Sequence, residues 1–396
     1  MQLLRRFCFF VSPLLILLSL GEWMLWTAGE TWPVSKVAGL QQHSQAEILY
    51  SRTLLSQQFG IYKLASIRRA EPAIVVVGSS RVMQFRDFMF APLDDAFYNA
   101  GGMIESASDL DTYADLILAG EVPKPQVLLI GIDIWWFKPK LARASDSRLN
   151  DSDDAYHMGA HIEALKTVSK GKHTAELLTE TRRRWQSPQQ REWVGFSPAL
   201  NGSGFRNDGS WQYPAELYRD FVRSPQFIDR ESPPVVERIR SRSSQFSPTI
   251  EYDEHQVKVF KGGLEKLIAH DIEVIAFLPP FSSESLNAIR LHPELQRLLS
   301  DCENRLLPQL KRAGVTVVPL NQMDLSDEYM IDGFHPSEVY VAQIVLEISK
   351  QLPSDSILNQ VDSKQLNQRI STAEIPLAFF VPAVQETQSH SRPNIE

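Results

Sequence analysis

Residues 73–81 read Ala-Ile-Val-Val-Val-Gly-Ser-Ser-Arg, and this stretch decides the fold class. Its first five residues are apolar and mostly β-branched, as expected of a short strand buried on both faces of a sheet. The chain then turns through Gly78, Ser79 and Ser80 into a segment, 82–85, that can open a helix. A buried strand that leads directly into a helix is the repeating unit of α/β proteins.

Three more runs of this kind follow, at 126–130, 273–278 and 315–318. Helical patterns lie between and after them, at 106–119, 254–270, 293–313 and 337–352. Alternating strands and helices predict an α/β domain with a mostly parallel sheet, helices on both faces and right-handed crossovers.

Three segments interrupt or flank that domain, which we place at 73–352. Residues 30–72 are polar and partly helical, and they predict a stalk. The stretch 140–250 is rich in Ser, Arg, Trp and Pro and predicts an insertion that forms a lid or a subdomain over the sheet. The polar, aperiodic residues 353–396 predict a disordered tail.

Residues 1–29 predict a single-pass membrane anchor. The apolar run 7–28 is long enough, at about 1.5 Å per residue, to cross a hydrocarbon core of about 30 Å. Arg5 and Arg6 precede it, which favours a cytoplasmic N-terminus and an extracytoplasmic domain, periplasmic or at the cell surface. A cleaved signal peptide has the same basic start and apolar middle, with 27–29 as a weak cleavage site. Both interpretations export the remaining chain.

Composition excludes several other classes of protein. The net charge is −8, and lysines and arginines are scattered, so nucleic acid is not an expected partner. The two cysteines, Cys8 and Cys302, are too far apart in the predicted structure for a disulfide, and they offer no zinc pattern. We therefore expect no metal site, and the chemistry indicated below needs no cofactor.

Two motifs indicate chemistry. A serine at a strand-to-helix turn, here Ser80, projects its hydroxyl beside backbone N–H groups that can stabilise an oxyanion. Just ahead of the last predicted helix, Asp332 and His335 lie three residues apart, so the carboxylate can hold Nδ1–H and leave Nε2 free as a base. The alternative is a capping turn, in which Asp332 and Ser337 accept hydrogen bonds from backbone donors.

Together these motifs resemble the SGNH/GDSL hydrolase superfamily, over roughly 73–352 with the insertion excluded. The resemblance implies a three-layer, flavodoxin-like sheet, with Ser80 as nucleophile, His335 as base and Asp332 as its orienter. Ser79 stands where the family usually has Asp, and this looks like the Gly-Ser-Ser-Arg variant of exported, membrane-tethered members.

The family's two middle blocks are altered here. The resemblance implies an oxyanion hole formed by the N–H groups of Ser80 and Gly101, with Gly102 nearly as good a candidate as Gly101. In the third block the family has an Asn that donates to the oxyanion, whereas this chain has Asp133. An ionised carboxylate cannot donate. Asp133 is therefore protonated, or binds substrate hydroxyls, or leaves that donor absent.

Arg81, Asp133 and Trp135 are the candidate substrate-binding residues. Arg81 can hold an anionic substrate or pair with Asp133. Trp135 can form part of a sugar-stacking wall or pack under a lid.

The leading functional hypothesis is a membrane-anchored serine esterase that acts on exported glycan or lipid acyl esters through an acyl-serine intermediate. A polysaccharide O-acetyltransferase and a non-catalytic, polysaccharide-binding scaffold are the alternatives. The expected partners are the membrane, the ester substrate and proteins of envelope polysaccharide assembly.

Overall fold

The computed structural model describes residues 2–55, 59–139, 149, 161–162, 164–166, 170, 174–186, 192–224, 235–247, 252–320, 323 and 326–380. Much of the predicted insertion, and residues 381–396 of the predicted tail, lie outside the described residues.

The described strands form two sheets. In chain order the strands are β1 (Leu49–Tyr50), β2 (Ile74–Gly78), β3 (Phe97–Gly101), β4 (Val127–Gly131), β5 (Trp193–Val194), β6 (Gly204–Phe205), β7 (Trp211–Gln212), β8 (Glu273–Phe277) and β9 (Thr316–Val317). The larger sheet has the order β3-β2-β4-β8-β9 and the smaller one β5-β1-β6-β7.

Every pairing in the larger sheet is parallel, as the sequence predicts for most of it. β2 lies between β3 and β4, with Val76 opposite Asn99 on one side and Leu129 on the other. The chain leaves β2 for β3 on one side and then crosses to β4 on the other. In open α/β sheets, ligands bind outside the carboxyl ends of strands where the direction reverses in this way, and this is where Ser80 lies.

The described helices are α1 (Gln2–Ala28), α2 (Val34–His43), α3 (Phe59–Ala70), α4 (Ala107–Leu118), α5 (Thr174–Gln186), α6 (Phe196–Asn201), α7 (Ala215–Arg223), α8 (Val235–Arg240), α9 (Glu254–Ile268), α10 (Ser283–Arg290), α11 (Pro293–Asp301), α12 (Leu307–Arg312), α13 (Glu338–Ser349) and α14 (Ser363–Ser371). The predicted helix 293–313 is interrupted by a π-helical turn at Cys302–Leu306.

Helices cover both faces of the larger sheet. Side chains alternate along β2, so Val75 and Val77 join one apolar core with α4 and α9, while Ile74 and Val76 join another with α13. The sequence predicts both layers correctly, because a parallel strand that is buried on both faces needs a cover on each.

The predicted stalk is instead part of the folded domain. Buried side chains of α2 and α3, including Val37 and Tyr62, form one core with Phe205 of β6. β1 lies between β5 and β6 and joins this segment to the insertion. The prediction of a stalk is therefore wrong, because α2 and α3 bury apolar side chains against the rest of the domain.

The predicted tail also folds in part. Leu358, Leu366 of α14 and Phe379 are buried in the core beneath α13. The domain therefore extends to residue 380, and the prediction of disorder from residue 353 was wrong for 353–380.

Helix α1 contains the segment Val11–Ala28, which has a mean hydropathy of 1.4 and is long and apolar enough to span a membrane. Signal sequences share this length and composition. Cys302 is buried as a free thiol in the π-helical turn.

Candidate active site

Ser80 lies at the carboxyl end of β2, where the backbone turns sharply. Gly78 has a φ of +152°, and a Cβ at this position would lie 2.8 Å from the carbonyl oxygen of Gly131. Only glycine fits such a close approach of two strands. Ser79 then caps a single 3-10 turn, Ser80–Val82, by accepting a hydrogen bond from Arg81 N. The turn holds the Ser80 side chain, partly exposed, at the edge of the sheet.

The structure brings the three predicted catalytic side chains into one hydrogen-bonded chain. Ser80 Oγ lies 2.8 Å from His335 Nε2, and His335 Nδ1 lies 2.7 Å from Asp332 Oδ2. An ionised carboxylate only accepts, so Nδ1 carries the proton and donates to Asp332. Nε2 is then the acceptor that faces the serine hydroxyl, as a general base requires.

Asp332 is held in place and kept ionised by its own loop. Its Oδ1 accepts hydrogen bonds from the backbone N–H groups of Phe334 and His335, at 2.9 and 2.8 Å. Burial alone raises the pKa of Asp332, but His335 and these hydrogen bonds outweigh it, and the pKa falls below its usual value. The capping role expected as the alternative is thus present together with the contact to His335.

Of the predicted oxyanion donors, the structure leaves one available. Ser80 N begins the 3-10 turn and makes no hydrogen bond within the described part of the chain. Gly101 N donates to Asn99 Oδ1 at 2.7 Å, and Gly102 N donates to the carbonyls of Gly78 and Ser79 at 2.8 and 3.1 Å. The prediction for Gly101 and Gly102 is wrong in this arrangement, because both amides are already bonded within the fold.

The Arg81 side chain is buried and donates hydrogen bonds to four acceptors. Its guanidinium donates to Asp133 Oδ1 at 2.9 Å and to three backbone carbonyls. Those carbonyls belong to Pro279, Pro280 and Phe334, at 2.6, 2.7 and 3.0 Å. The prediction that Arg81 binds substrate is therefore wrong, and the alternative pairing with Asp133 is confirmed.

Asp133 is fully buried as the partner of Arg81, so it cannot contact substrate hydroxyls. Burial raises its pKa, while the charge of Arg81 and the nearby Ser79 hydroxyl lower it. Burial likewise lowers the pKa of Arg81, against the effect of Asp133. We call this buried pair the clamp. It joins the ends of β2, β4 and β8 to the loop that carries His335.

Trp135 is half-buried and packs edge to face against Phe246 and Phe334, at 5.8 and 6.1 Å between ring centroids. Of the two alternatives for Trp135, the structure favours packing. Phe246 belongs to the predicted insertion, which also places Arg238 5.4 Å from the Phe334 ring. Described parts of the insertion therefore form one wall of the site.

Sequence reasoning missed Phe334 and Asn99. The ring centroids of Phe334 and His335 are 4.2 Å apart, and the Phe334 carbonyl accepts a hydrogen bond from Arg81. Asn99 is buried, and its amide donates to the carbonyls of Val82 and Phe85, at 2.8 and 2.9 Å. An aromatic residue inside the Asp-x-x-His motif was a usable signal for Phe334, whereas nothing local indicated the contacts of Asn99.

A second group of charges lies beside the site, and we call it the brace. Arg86 pairs with Asp208 at 3.1 Å and with Glu338 at 2.9 Å, and Arg206 pairs with Glu338 at 3.1 Å. Its two carboxylates and Arg206 are buried. The brace fixes the first turn of α13, three residues beyond His335.

A cavity of about 870 Å³ adjoins the clamp beyond the ends of β8 and β9. Its wall includes Arg81, Met330 and Tyr340, but neither Ser80 nor His335. Among the described residues, no group of three His, Cys, Asp or Glu side chains is placed to hold a metal ion.

No protein-family model and no curated protein matches this chain.

Proposed function

We propose that this protein is a membrane-anchored serine esterase of the SGNH type that acts on acyl esters of exported glycans or lipids. The observation that carries the proposal is the continuous hydrogen-bonded chain from Ser80 through His335 to Asp332. A serine hydroxyl is a poor nucleophile at neutral pH and needs an oriented base of this kind.

The fold supports the same proposal. Counted along the chain, the strands of the larger sheet lie in the order 2-1-3-4-5, which is that of flavodoxin-like sheets. Ser80 follows the first of these strands and His335 precedes α13, which are the positions expected from the resemblance to SGNH hydrolases.

In the proposed reaction, Ser80 Oγ attacks the ester carbonyl carbon while His335 Nε2 takes the hydroxyl proton. The carbonyl oxygen becomes an oxyanion next to Ser80 N–H. The intermediate collapses with loss of the alcohol, which receives the proton from Nε2, and leaves an acyl group on Ser80. Water then attacks the acyl carbonyl carbon while His335 Nε2 takes its proton. The second intermediate collapses, releases the acid and returns the proton to Ser80 Oγ. A sugar hydroxyl in place of water makes the same chain an O-acyltransferase.

A non-catalytic scaffold is the second candidate, and one specific observation favours it. The amides of Gly101 and Gly102 are bonded internally, so Ser80 N–H is the one predicted donor left to an oxyanion. Loss of a single oxyanion donor lowers turnover by roughly 10²- to 10³-fold in other hydrolases. The scaffold hypothesis therefore predicts binding of polysaccharide without turnover.

The test is p-nitrophenyl acetate turnover by the full chain in detergent, together with labelling by a serine-reactive phosphonate. We expect turnover and an adduct on Ser80. Ser80→Ala should lower turnover by about 10³-fold or more and abolish the adduct. Ser79→Ala, one residue away, should still be labelled. If a well-folded wild-type chain neither turns over nor reacts, the scaffold hypothesis is the better one.

A further inference from the structure

Helix α1 does not end where the folded domain begins. It continues without a break to Ala28, and its last turns enter the domain. Met24 and Ala28 are buried against Leu177 of α5 and Phe196 of α6. The apolar helix and the domain are therefore one packed unit.

Glu30 locks this junction. Its buried carboxylate accepts hydrogen bonds from the backbone N–H groups of Thr53, Leu54, Leu55 and Phe196, at 2.6 to 3.3 Å. Burial raises the pKa of Glu30, and these four donors favour the ionised form. Four donors on one carboxylate fix the direction in which α1 leaves the domain.

The part of α1 that the domain does not cover is short. A Cβ at Gly21 would lie 2.5 Å from Leu165, and the carboxylate of Glu22 lies 2.9 Å from His161. Among the described contacts, those between α1 and the domain begin at about residue 21. The apolar run from Phe7 to Leu20 spans about 21 Å at 1.5 Å per residue. A hydrocarbon core is about 30 Å thick, so this run alone is too short to cross it.

Exposed apolar side chains lie on the two parts of the domain that contact α1, which are helix α5 and the residues beside His161. Trp185 of α5 is 71% exposed and packs edge to face on Trp23, with 5.7 Å between ring centroids. Ile162, next to His161, is 46% exposed, and Leu178 of α5 is 54% exposed. We call Trp23, Ile162, Leu178 and Trp185 the membrane foot. Tryptophan beside apolar side chains at the end of an apolar helix is typical of the membrane interface.

We propose that the membrane foot enters the headgroup and upper acyl region of the bilayer that α1 crosses. Its insertion makes up for the short uncovered span of α1, because a bilayer and a short helix adjust to each other at the interface. Since Glu30 fixes the helix to the domain, the foot holds the domain in one orientation on the membrane. This inference rests on the anchoring role of α1 in the proposed function, but not on the chemistry of Ser80.

The test places single cysteines in the full chain with Cys8 replaced by Ser and the buried Cys302 by Ala, labels each with the environment-sensitive fluorophore NBD, and reconstitutes one copy per lipid nanodisc. Leu17→Cys reports the span, Trp185→Cys reports the foot, and Leu291→Cys is the matched control, 74% exposed but on the loop after α10. Lipids carrying a doxyl quencher should quench the label at positions 17 and 185, and leave that at 291 unchanged.

The three positions separate the ways in which the proposal can fail. If Leu17→Cys is quenched while Trp185→Cys behaves like Leu291→Cys, α1 is an anchor but the foot does not touch lipid. If Leu17→Cys is not quenched, the anchoring proposal fails, and the foot fails with it. Leu178→Cys repeats the measurement at a second foot position in case the Trp185 variant does not fold. With one copy per nanodisc, a second copy of the chain cannot account for quenching.

Discussion

Two groups of polar and charged side chains meet near the start of α13: the triad, which is Ser80, His335 and Asp332, and the brace. They differ in whether their hydrogen-bonded chain has an end that solvent can reach. In the triad, the chain of hydrogen bonds from Asp332 through His335 ends at the partly exposed Ser80 hydroxyl. In the brace, Asp208 accepts from Arg86 and from donors of Asp87 and Ser210, and Glu338 accepts from Arg86 and Arg206. The comparison teaches that the two groups differ in accessibility more than in charge, and the proposed reactivity of Ser80 depends on the accessible end.

The largest expected effect is that of Asp332→Asn. The Asn oxygen can still accept from the two backbone amides, so the loop should keep its conformation, with a loss of free energy of unfolding only from the interactions that lower the pKa of Asp332. The amide no longer accepts the proton of His335 Nδ1, which favours the wrong tautomer, and turnover should fall by about 10³- to 10⁴-fold. Steady-state ester turnover at matched folded fraction measures this. Turnover within tenfold of the wild-type value would mean that Asp332 does not orient His335.

Disrupting the clamp should lower the free energy of unfolding. Arg81→Met leaves the buried carboxylate of Asp133 without its cation, and we expect a loss of about 3–5 kcal/mol in the free energy of unfolding. The double variant Arg81→Met with Asp133→Leu is the matched control, since it removes both charges and should recover part of that loss, while the three carbonyls bonded by Arg81 still lose their donor. Denaturant unfolding measures both variants. A loss below about 1 kcal/mol for the single variant would contradict the clamp.

The parts of the fold that the sequence predicts are those with a local signature. β2 is a run of β-branched residues, and the Asp332-x-x-His335 spacing puts both side chains on one turn. The small sheet has no such signature, because its strands have two residues each and pair across distances such as that from Tyr50 to Val194. Periodicity cannot appear in two residues, so the sequence of β1 gives no sign of a strand and favours the stalk that the structure contradicts.

The same reasoning explains the errors within the site. Arg81 follows Ser80, and its position alone suggests an exposed cation beside a nucleophile. Three of its four acceptors, the carbonyls of Pro279, Pro280 and Phe334, are backbone atoms about 200 or more positions away, and no side-chain pattern marks them. Likewise, that the Gly101 amide is occupied depends on the rotamer of Asn99, which a Gly motif does not reveal.

Disrupting the brace should lower stability less than disrupting the clamp does, and it should lower turnover far less than Asp332→Asn does. Glu338→Gln removes the carboxylate that Arg86 and Arg206 share, while Asp208 still pairs with Arg86. We expect a loss of about 1–3 kcal/mol in the free energy of unfolding. Turnover per folded molecule should stay within a few-fold of wild type, in contrast to Asp332→Asn. A large fall in turnover without a loss of stability would place Glu338 in the reaction instead of the brace.

The smallest expected effect concerns pH. Asp87 lies next to the brace, and burial together with the charge of Asp208 raises its pKa from 3.8 to about 6. The folded state therefore holds this proton more tightly than the unfolded state does. Between about pH 4 and pH 6 the unfolded state binds fewer protons at this site, so the contribution of Asp87 to stability falls as pH rises.

Asp87→Asn removes this dependence. Its side-chain oxygen can still accept from Phe88 N, as Asp87 Oδ1 does at 2.7 Å, so the local turn is kept. We expect the variant to gain free energy of unfolding relative to wild type on going from pH 4 to pH 7. Denaturant unfolding of both proteins at the two values measures the difference. If the difference in free energy of unfolding between variant and wild type stays constant or reverses between the two pH values, the pKa of Asp87 is not raised by burial and by Asp208. The positive charge of Arg86 would then offset the negative charge of Asp208 at the Asp87 carboxylate.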